Sequence, residues 1–150
     1  MSDANTVFID WILEARGLKH VFSRVVTNPA VWTQEGRLMI QPYHSHTCAT
    51  CVDTPNLCKG HVLQEHLRSQ PHGLYSRVWY LGDGSNDYCP IQGLRRSDAA
   101  FPRQGFPLAK LLQASVHRDK VQAAVVEWAS AAEVLAWVRQ REAEQGAVAS

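Results

Sequence analysis

The sequence predicts an α/β layer sandwich with a mostly parallel sheet. Short apolar runs typical of strands alternate with segments whose apolar residues recur at helical spacing. Such alternation is typical of parallel strands joined through helices that cover the faces of the sheet. The 150 residues are enough for one domain with its own core. We expect a core over residues 1–140, with a Cys/His-rich insert at 41–58 and a flexible tail at 141–150.

The first third of the chain contains a clear helix pattern followed by weaker strand patterns. Asn5–Arg16 has apolar residues at helical spacing, and Gly17 is a natural stop. Val21–Thr27 reads as a short strand. Val31–Ile40 is ambiguous, but its Glu35-Gly36 pair is typical of a turn and favours a hairpin. The helix cap is one of three polar residues near its start: Ser2, Asp3 or Asn5.

The remainder of the chain alternates regularly between the two patterns. Helices are predicted over Lys59–Ser69, Asn86–Arg95, Pro107–Ser115 and Ala131–Arg139. Strands are predicted over Val78–Leu81, Ala99–Phe101 and Val121–Trp128. This order supports the parallel sheet rather than a meander of hairpins.

Charge and composition exclude several classes of function. With 15 basic and 14 acidic residues, the net charge of +1 gives no indication of a nucleic-acid or membrane-surface partner. No segment approaches the roughly 20 apolar residues of a spanning helix, and the first residues lack the features of a signal peptide. We therefore expect a cytoplasmic protein whose cysteines are thiols or metal ligands.

The segment Gly-Asp-Gly-Ser-Asn-Asp at 82–87 directly follows a predicted strand. Its two carboxylates, Asp83 and Asp87, suit a hard cation such as magnesium, and Asn86 can donate to a phosphoryl oxygen. The alternative is an ordinary turn with Asp and Asn as turn formers. A calcium loop would need Glu where Leu94 stands, and a dinucleotide fingerprint would need Gly or Ala in place of Asp87.

Two further residues are candidates for phosphate contact, each with a simpler alternative. Ser2 precedes a predicted helix, where a hydroxyl and free amides can bind an anion, although a plain cap is the commoner role. Lys59 opens a helix and could neutralise a phosphoryl group, although a solvated lysine is the simpler interpretation.

The insert contains a cluster of potential metal ligands. The spacing of Cys48 and Cys51 is that of a zinc chelate, but only a single cysteine follows it. A loop of reduced thiols is the alternative, and Cys58, beside Lys59, could instead be a redox-sensitive thiol. The candidate ligands of a structural zinc ion are His44, His46, Cys48, Cys51 and Cys58.

Several segments together resemble the haloacid dehalogenase superfamily of phosphohydrolases, and within it the orphan phosphatase subfamily. Ser-Asp-Ala-Asn-Thr-Val-Phe-Ile-Asp-Trp-Ile-Leu-Glu-Ala looks like the helix of its second motif, and Asn-Leu-Cys-Lys ends a similar Cys-rich insert. Gly-Asp-Gly-Ser-Asn-Asp-Tyr-Cys-Pro and Ala-Phe-Pro-Arg-Gln-Gly-Phe-Pro-Leu resemble its fourth motif. The subfamily contains phosphoethanolamine/phosphocholine phosphatases and pyridoxal phosphate phosphatases, and Phe-Ile-Asp-Trp favours the second branch.

The resemblance implies a magnesium-dependent phosphomonoesterase with a three-layer, Rossmann-like fold. Asp83 would bind magnesium, and Asp87 would support it directly or through water. Ser2 and Asn86 would hold the phosphoryl group or the metal shell, and Lys59 would neutralise charge. The reaction would be in-line transfer to an aspartate, followed by hydrolysis of the aspartyl-phosphate. The substrate would be a small phosphorylated metabolite.

One departure from the family pattern is large. No Asp-x-Asp follows an apolar strand in residues 1–150, so the nucleophile, the general acid, the first strands and the cap of the family are missing from this sequence. We expect a fragment that is inactive alone and poorly stable as a monomer. It could form a homo-oligomer, associate with a full-length form as a regulatory module, or act as a small zinc-binding interaction domain.

Overall fold

The computed structural model describes residues 1–51, 56–70 and 75–146, with the side chains of 145 and 146 excepted. The chain divides into two compact units, Met1–Lys59 and Gly60–Ser150. The predicted insert therefore falls in the first unit, although its residues 52–55 lie outside the described part. None of the helices in the described ranges combines the length and the apolar character that a membrane crossing requires.

The first unit contains one helix and one hairpin. Helix α1 spans Thr6–Ala15, and Asn5 is its N-cap, with the side-chain oxygen accepting from the Phe8 N–H. Strands β1 (Ala30–Trp32) and β2 (Leu38–Ile40) are antiparallel. Gly36 has a φ of +74°, so the predicted turn at Glu35-Gly36 is confirmed and needs the freedom of glycine.

The strand predicted over Val21–Thr27 is wrong. A 3₁₀ turn occupies Lys19–Val21, and the extended segment after it makes one isolated bridge, between Asn28 and Asn5. The Thr6 N–H still donates to the Asn28 carbonyl (2.9 Å), but Thr6 already begins α1. Because its neighbour turns into a helix at this point, the segment has no ladder to continue.

The second unit is built on a parallel sheet of three strands in the order β3-β4-β5. The strands are β3 (Trp79–Gly82), β4 (Ala99–Pro102) and β5 (Ala124–Val125). Every residue of the central strand β4 is buried. This confirms the expected α/β class with a parallel sheet.

Helical layers cover both faces of β4, and the alternation of its side chains shows how. Ala100 belongs to a core cluster that includes Ile91 and Leu108, whereas Ala99 and Phe101 pack with Val134 and its neighbours. Successive side chains of a strand point to opposite faces, so the two clusters lie on the two sides of the sheet. The helices are α2 (Lys59–Arg68), α3 (Tyr88–Gln92), α4 (Pro107–Leu111), α5 (Ser115–Arg118) and α6 (Ala131–Gly146).

Three predicted elements of this unit differ in length. The helix predicted from Asn86 ends at Gln92, where Gly93 follows, and the one predicted over Pro107–Ser115 is interrupted after Leu111. The strand predicted over Val121–Trp128 is reduced to β5, with a single further bridge between Arg103 and Trp128.

The last helix extends beyond its predicted end at Arg139 to Gly146, so residues 141–146 are helical rather than part of a tail. Glu144 accepts hydrogen bonds from Gln140 (3.1 Å) and Arg141 (3.0 Å), and pairs at this spacing support an exposed helix. Residues 147–150 of the predicted tail lie outside the described part.

Candidate functional site

The glycine-rich acidic loop lies at the carboxyl edge of the parallel sheet. β3 ends at Gly82, and a 3₁₀ turn over Ser85–Asp87 leads into α3. The Gly82 carbonyl accepts from the Arg103 N–H and the Asp83 carbonyl from the Leu108 N–H, both at 3.0 Å. These bonds tie the loop to the end of β4 and the start of α4. Ligands of open α/β sheets bind at this edge.

Asp87 holds the loop in shape from inside. Its side chain is buried, with the residue 4% exposed. One carboxylate oxygen accepts from the Tyr80 hydroxyl (2.8 Å), and the other accepts from the backbone N–H groups of Asp83 (3.0 Å) and Gly84 (3.1 Å). Hydrogen bonds to a charged acceptor are among the stronger ones in proteins. Asp87 therefore fixes the two residues that precede the 3₁₀ turn.

The absence of a side chain at Gly82 is required by this packing. A Cβ there would lie 2.6 Å from the Cβ of Asp87 and 2.8 Å from its Oδ2. A Cβ at Gly84 would overlap only the end of the Asn86 side chain, with Oδ1 at 2.5 Å, and would stand at an ordinary contact distance of 3.8 Å from Asp87 Oδ2. Gly82 thus leaves room for the anchored carboxylate of Asp87, whereas Gly84 faces the end of the Asn86 side chain.

Asp83 presents the exposed carboxylate of the loop. Its backbone N–H and carbonyl are both engaged, with Asp87 and Leu108, and its side chain is exposed. Carboxylate oxygens are the ligands that magnesium prefers. The donor set of the loop fits such an ion through Asp83, with Asn86 beside it and Asp87 acting on the loop itself. The three predicted residues of this segment therefore lie in one loop.

Arg103 is a candidate site residue that the sequence reasoning missed. It follows β4 at the same edge of the sheet and is exposed. Its guanidinium lies 4.4 Å from the ring centroid of Phe106 and 5.4 Å from that of Trp128, which restrains it by cation–π contact. An arginine directly after a buried strand, two residues before a glycine, was the available signal.

Ser2 lies in the first unit, before the cap of α1. Its N–H donates to the Val26 carbonyl (3.0 Å), and its hydroxyl accepts from the Ala4 N–H (3.2 Å). Since Asn5 caps the helix, Ser2 is not the cap that the simpler interpretation assigned to it. Its hydroxyl is half-buried in the turn that precedes α1.

Asn28 organises that turn and was also missed. It is 2% exposed, and its amide nitrogen donates to the carbonyls of Asp3 (2.8 Å) and Ala4 (3.0 Å). Its side-chain oxygen accepts from the Tyr43 N–H (3.2 Å). One buried amide therefore links the segment around Ser2 to the start of the Cys/His insert. An Asn-Pro pair after an apolar run is the only sequence signal for it.

Lys59 is the first residue of α2 and is 6% exposed. This burial rules out the alternative of a solvated lysine. A buried ammonium needs compensating contacts, which suits a residue that neutralises an anion. The predicted residues are thus distributed over both units, with Ser2 and Lys59 in the first and Asp83, Asn86 and Asp87 in the second.

The thiols of the predicted zinc ligands converge. The sulfur atoms of Cys48, Cys51 and Cys58 all lie within 4.8 Å of one another. The two histidines contact the same segments differently, because His44 Nε2 accepts from the Cys58 N–H (3.1 Å) and His46 Nδ1 from the Cys48 N–H (3.3 Å). The structure therefore groups the three thiols and places the two rings against the backbone that carries them.

Comparison with known proteins gives a consistent result. A family model described as "Putative Phosphatase" matches residues 1–141. The pyridoxal phosphate phosphatase of Bos taurus is 40% identical over 142 residues, covering 93% of this chain and 58% of the relative. The corresponding protein of Homo sapiens is 41% identical, covering 90% of this chain and 56% of the relative.

A second group of relatives is similar to nearly the same degree. The phosphoethanolamine/phosphocholine phosphatase of Homo sapiens is 39% identical over 144 residues, covering 93% of this chain and 53% of the relative. The chain thus spans a little over half the length of the curated relatives it matches. No solved structure matches the chain significantly.

Proposed function

Because this chain belongs to the family described as "Putative Phosphatase", we propose that it forms part of a magnesium-dependent phosphomonoesterase that acts on pyridoxal 5′-phosphate. The main support is the loop after β3. It combines an exposed carboxylate, a buried carboxylate that fixes its shape, and a glycine without which that carboxylate would not fit. An ordinary turn does not need this arrangement, whereas a metal site needs its ligand held in place.

The residues of the loop have separate roles in this proposal. Asp83 would hold magnesium, which would offset negative charge on the phosphoryl oxygens during transfer. Asp87 positions Asp83 through the backbone, and Asn86 donates from its amide to the phosphoryl group or to the metal shell. Arg103, restrained at the same edge, supplies positive charge to an anionic substrate.

Two further residues have proposed roles in phosphate binding. The Ser2 hydroxyl donates a hydrogen bond to a phosphoryl oxygen, while the hydroxyl oxygen of Ser2 still accepts from the Ala4 N–H. Lys59, buried at the start of α2, neutralises charge on the phosphoryl group. The nucleophilic aspartate and the general acid are proposed to come from residues outside this sequence, since no Asp-x-Asp occurs in it.

Phosphoethanolamine and phosphocholine are the alternative substrates for the same reaction. The relatives include phosphoethanolamine/phosphocholine phosphatases at 39% identity, against 40% for a pyridoxal phosphate phosphatase. We favour pyridoxal 5′-phosphate because the Phe-Ile-Asp-Trp segment resembles that branch. Comparison of kcat/KM for pyridoxal 5′-phosphate, phosphoethanolamine and phosphocholine distinguishes the two.

The test measures phosphate release from pyridoxal 5′-phosphate with excess magnesium. It compares the 150-residue chain with a longer protein in which a segment with a strand and an Asp-x-Asp motif precedes it. We expect activity only in the longer protein. There, Asp83→Asn should lower kcat/KM by about 100-fold or more, because a residue that contacts the charged centre is lost.

Asp119→Asn is the matched control, since Asp119 is an exposed aspartate at the end of α5. It should retain the activity of the parent. Activity of the short chain that disappears in Asp83→Asn would contradict the proposed source of the nucleophile but keep the phosphatase. Full activity of Asp83→Asn in the longer protein would contradict the proposed metal ligand.

A further inference from the structure

The spacing of the thiols in the Cys/His insert is that of a metal-thiolate site. Cys51 Sγ and Cys58 Sγ are 3.8 Å apart, and both residues are buried. A tetrahedral zinc ion with Zn–S bonds of about 2.3 Å has S···S edges of about 3.8 Å. Cys48 Sγ lies within 4.8 Å of the other two. The three sulfurs therefore already stand close to three corners of such a tetrahedron.

A disulfide accounts for this arrangement less well. The sulfurs of a disulfide are about 2.0 Å apart, and a disulfide would use only two of the three thiols. None of these three cysteines is joined in a disulfide. Simple burial of thiols as small apolar groups does not require a Cys-x-x-Cys turn and a cysteine seven residues further on to meet. A shared ion gives a reason for that convergence.

The backbone supports the same interpretation. Cys48 directly precedes the 3₁₀ segment Ala49–Cys51. The Cys51 N–H donates to the Cys48 carbonyl (3.1 Å) and closes a tight turn. This turn brings two sulfurs of a Cys-x-x-Cys pair to one side, as a chelate requires. Cys58, immediately before α2, completes the set from the other end of the insert.

The two histidines act on the ligands rather than on the ion. A ring nitrogen that accepts an N–H bond uses the lone pair that a metal would need. His44 Nε2 and His46 Nδ1 are used in this way, toward the N–H groups of Cys58 and Cys48. In each neutral ring the other nitrogen then carries the proton. The rings also stack edge to face, with centroids 5.5 Å apart.

We propose that Cys48, Cys51 and Cys58 bind a structural zinc ion as thiolates, and that His44 and His46 orient the backbone of two of these ligands. Each thiol releases its proton to solvent when the ion binds. The ion would join the Cys-x-x-Cys turn to the residue before Lys59 and so fix the start of α2. Soft thiolate ligands favour zinc over magnesium, which keeps the two metals at separate sites.

The test measures zinc and iron by mass spectrometry in the protein purified without chelators. We expect about one zinc per chain and no stoichiometric iron. Cys51→Ser and Cys58→Ser should lose the zinc, whereas the control Thr50→Ser, in the same turn and exposed, should retain it. His44→Ala should still bind one zinc, but with an affinity about 10- to 100-fold lower, as for other residues that orient ligands.

Alkylation of the unchanged protein covers the case in which a serine variant does not fold. The three thiols should react slowly with iodoacetamide and become reactive after a strong chelator is added. Purified protein without zinc, whose thiols react equally with and without the chelator, would overturn the proposal. Retention of zinc by both cysteine variants would overturn it as well. Neither result bears on phosphate release, so the proposed function is tested independently.

Discussion

Single residues decide the shape of the loop after β3, and its two aspartates have different roles. Asp87 is buried and accepts three hydrogen bonds, whereas Asp83 is exposed. The same residue type thus serves as an anchor at one position and as a candidate ligand four residues earlier. Tyr80 and Gly82, on β3, make the anchor fit. A substitution at either end of this contact should therefore act on the whole loop.

We expect Gly82→Ala to destabilise the second unit by about 1–3 kcal/mol, the usual cost of adding a group to a packed site. The new methyl would overlap the anchored side chain of Asp87. Gly84→Ala is the matched control, because its methyl would overlap only the end of the Asn86 side chain and would stay 3.8 Å from Asp87 Oδ2. Urea unfolding of both variants measures the difference. Equal losses in the two would show that the Asp87 contact does not constrain Gly82.

A second buried carboxylate, Asp98, gives the fold a dependence on pH. Burial alone raises the pKa of Asp98, but hydrogen bonds from the Arg95 side chain and from the N–H groups of Arg95 and Val78 outweigh it, so the pKa lies below its usual value. A lowered folded-state pKa stabilises the protein fully above the unfolded value of about 3.9. That stabilisation is lost as the pH falls through the folded-state pKa.

Asp98→Asn should therefore be less stable than the parent at neutral pH. The difference in their free energies of unfolding should become smaller as the pH falls below about 4. Unfolding midpoints measured between neutral and acidic pH check this. Asp119→Asn, at an exposed position, serves as the control and should follow the parent throughout. A constant difference between Asp98→Asn and the parent at all pH values would contradict the role of the Asp98 charge.

At the scale of elements, α1 stands out because it is apolar yet has no buried residue. Phe8, Trp11 and Ile12, spaced as neighbours on one helix face, are 49%, 68% and 49% exposed. Strands β1 and β2 add exposed Trp32 and Ile40 to the same unit. Several large apolar side chains exposed in one small unit are typical of an interaction site or of a liability to aggregate.

We expect the protein to self-associate through this face of α1. Trp11→Glu combined with Ile12→Glu should raise the dissociation constant by about tenfold or more, since each fully buried large side chain contributes about 1.5–3 kcal/mol. Sedimentation velocity over a range of concentrations measures this. Arg16→Gln, at the exposed end of the same helix, is the control. A concentration-independent monomer in the parent protein would contradict the expectation.

At the scale of the whole molecule, the family match over residues 1–141 includes both compact units. The first contains Ser2, Lys59 and the thiol cluster, and the second contains the parallel sheet with its acidic loop. The two proposed metal ions would therefore bind in different units, zinc through thiolates and magnesium through a carboxylate. Removing zinc should leave the hydrogen bonds of Asp87 in place, and removing magnesium should leave the thiols protected.

The sequence by itself determined the α/β class, the helix at Asn5–Arg16, the hairpin turn and the acidic loop after β3. These follow from local periodicity, turn chemistry and motif spacing, which are all written in neighbouring residues. For Val21–Thr27 the sequence wrongly predicted a strand, because strand formation depends on a partner that continues beside the segment.

Only the tertiary structure decided which polar residues are anchors and which are exposed. Asp87 and Asp83 are the same residue type, and Asn28 simply follows the predicted strand Val21–Thr27 in the sequence. Burial separates Asp87 from Asp83, and hydrogen-bond partners distant in the chain reveal the role of Asn28. The convergence of sulfur atoms likewise separates the thiols of the insert from its two histidines. Such roles depend on contacts between segments, and residue order alone does not contain those contacts.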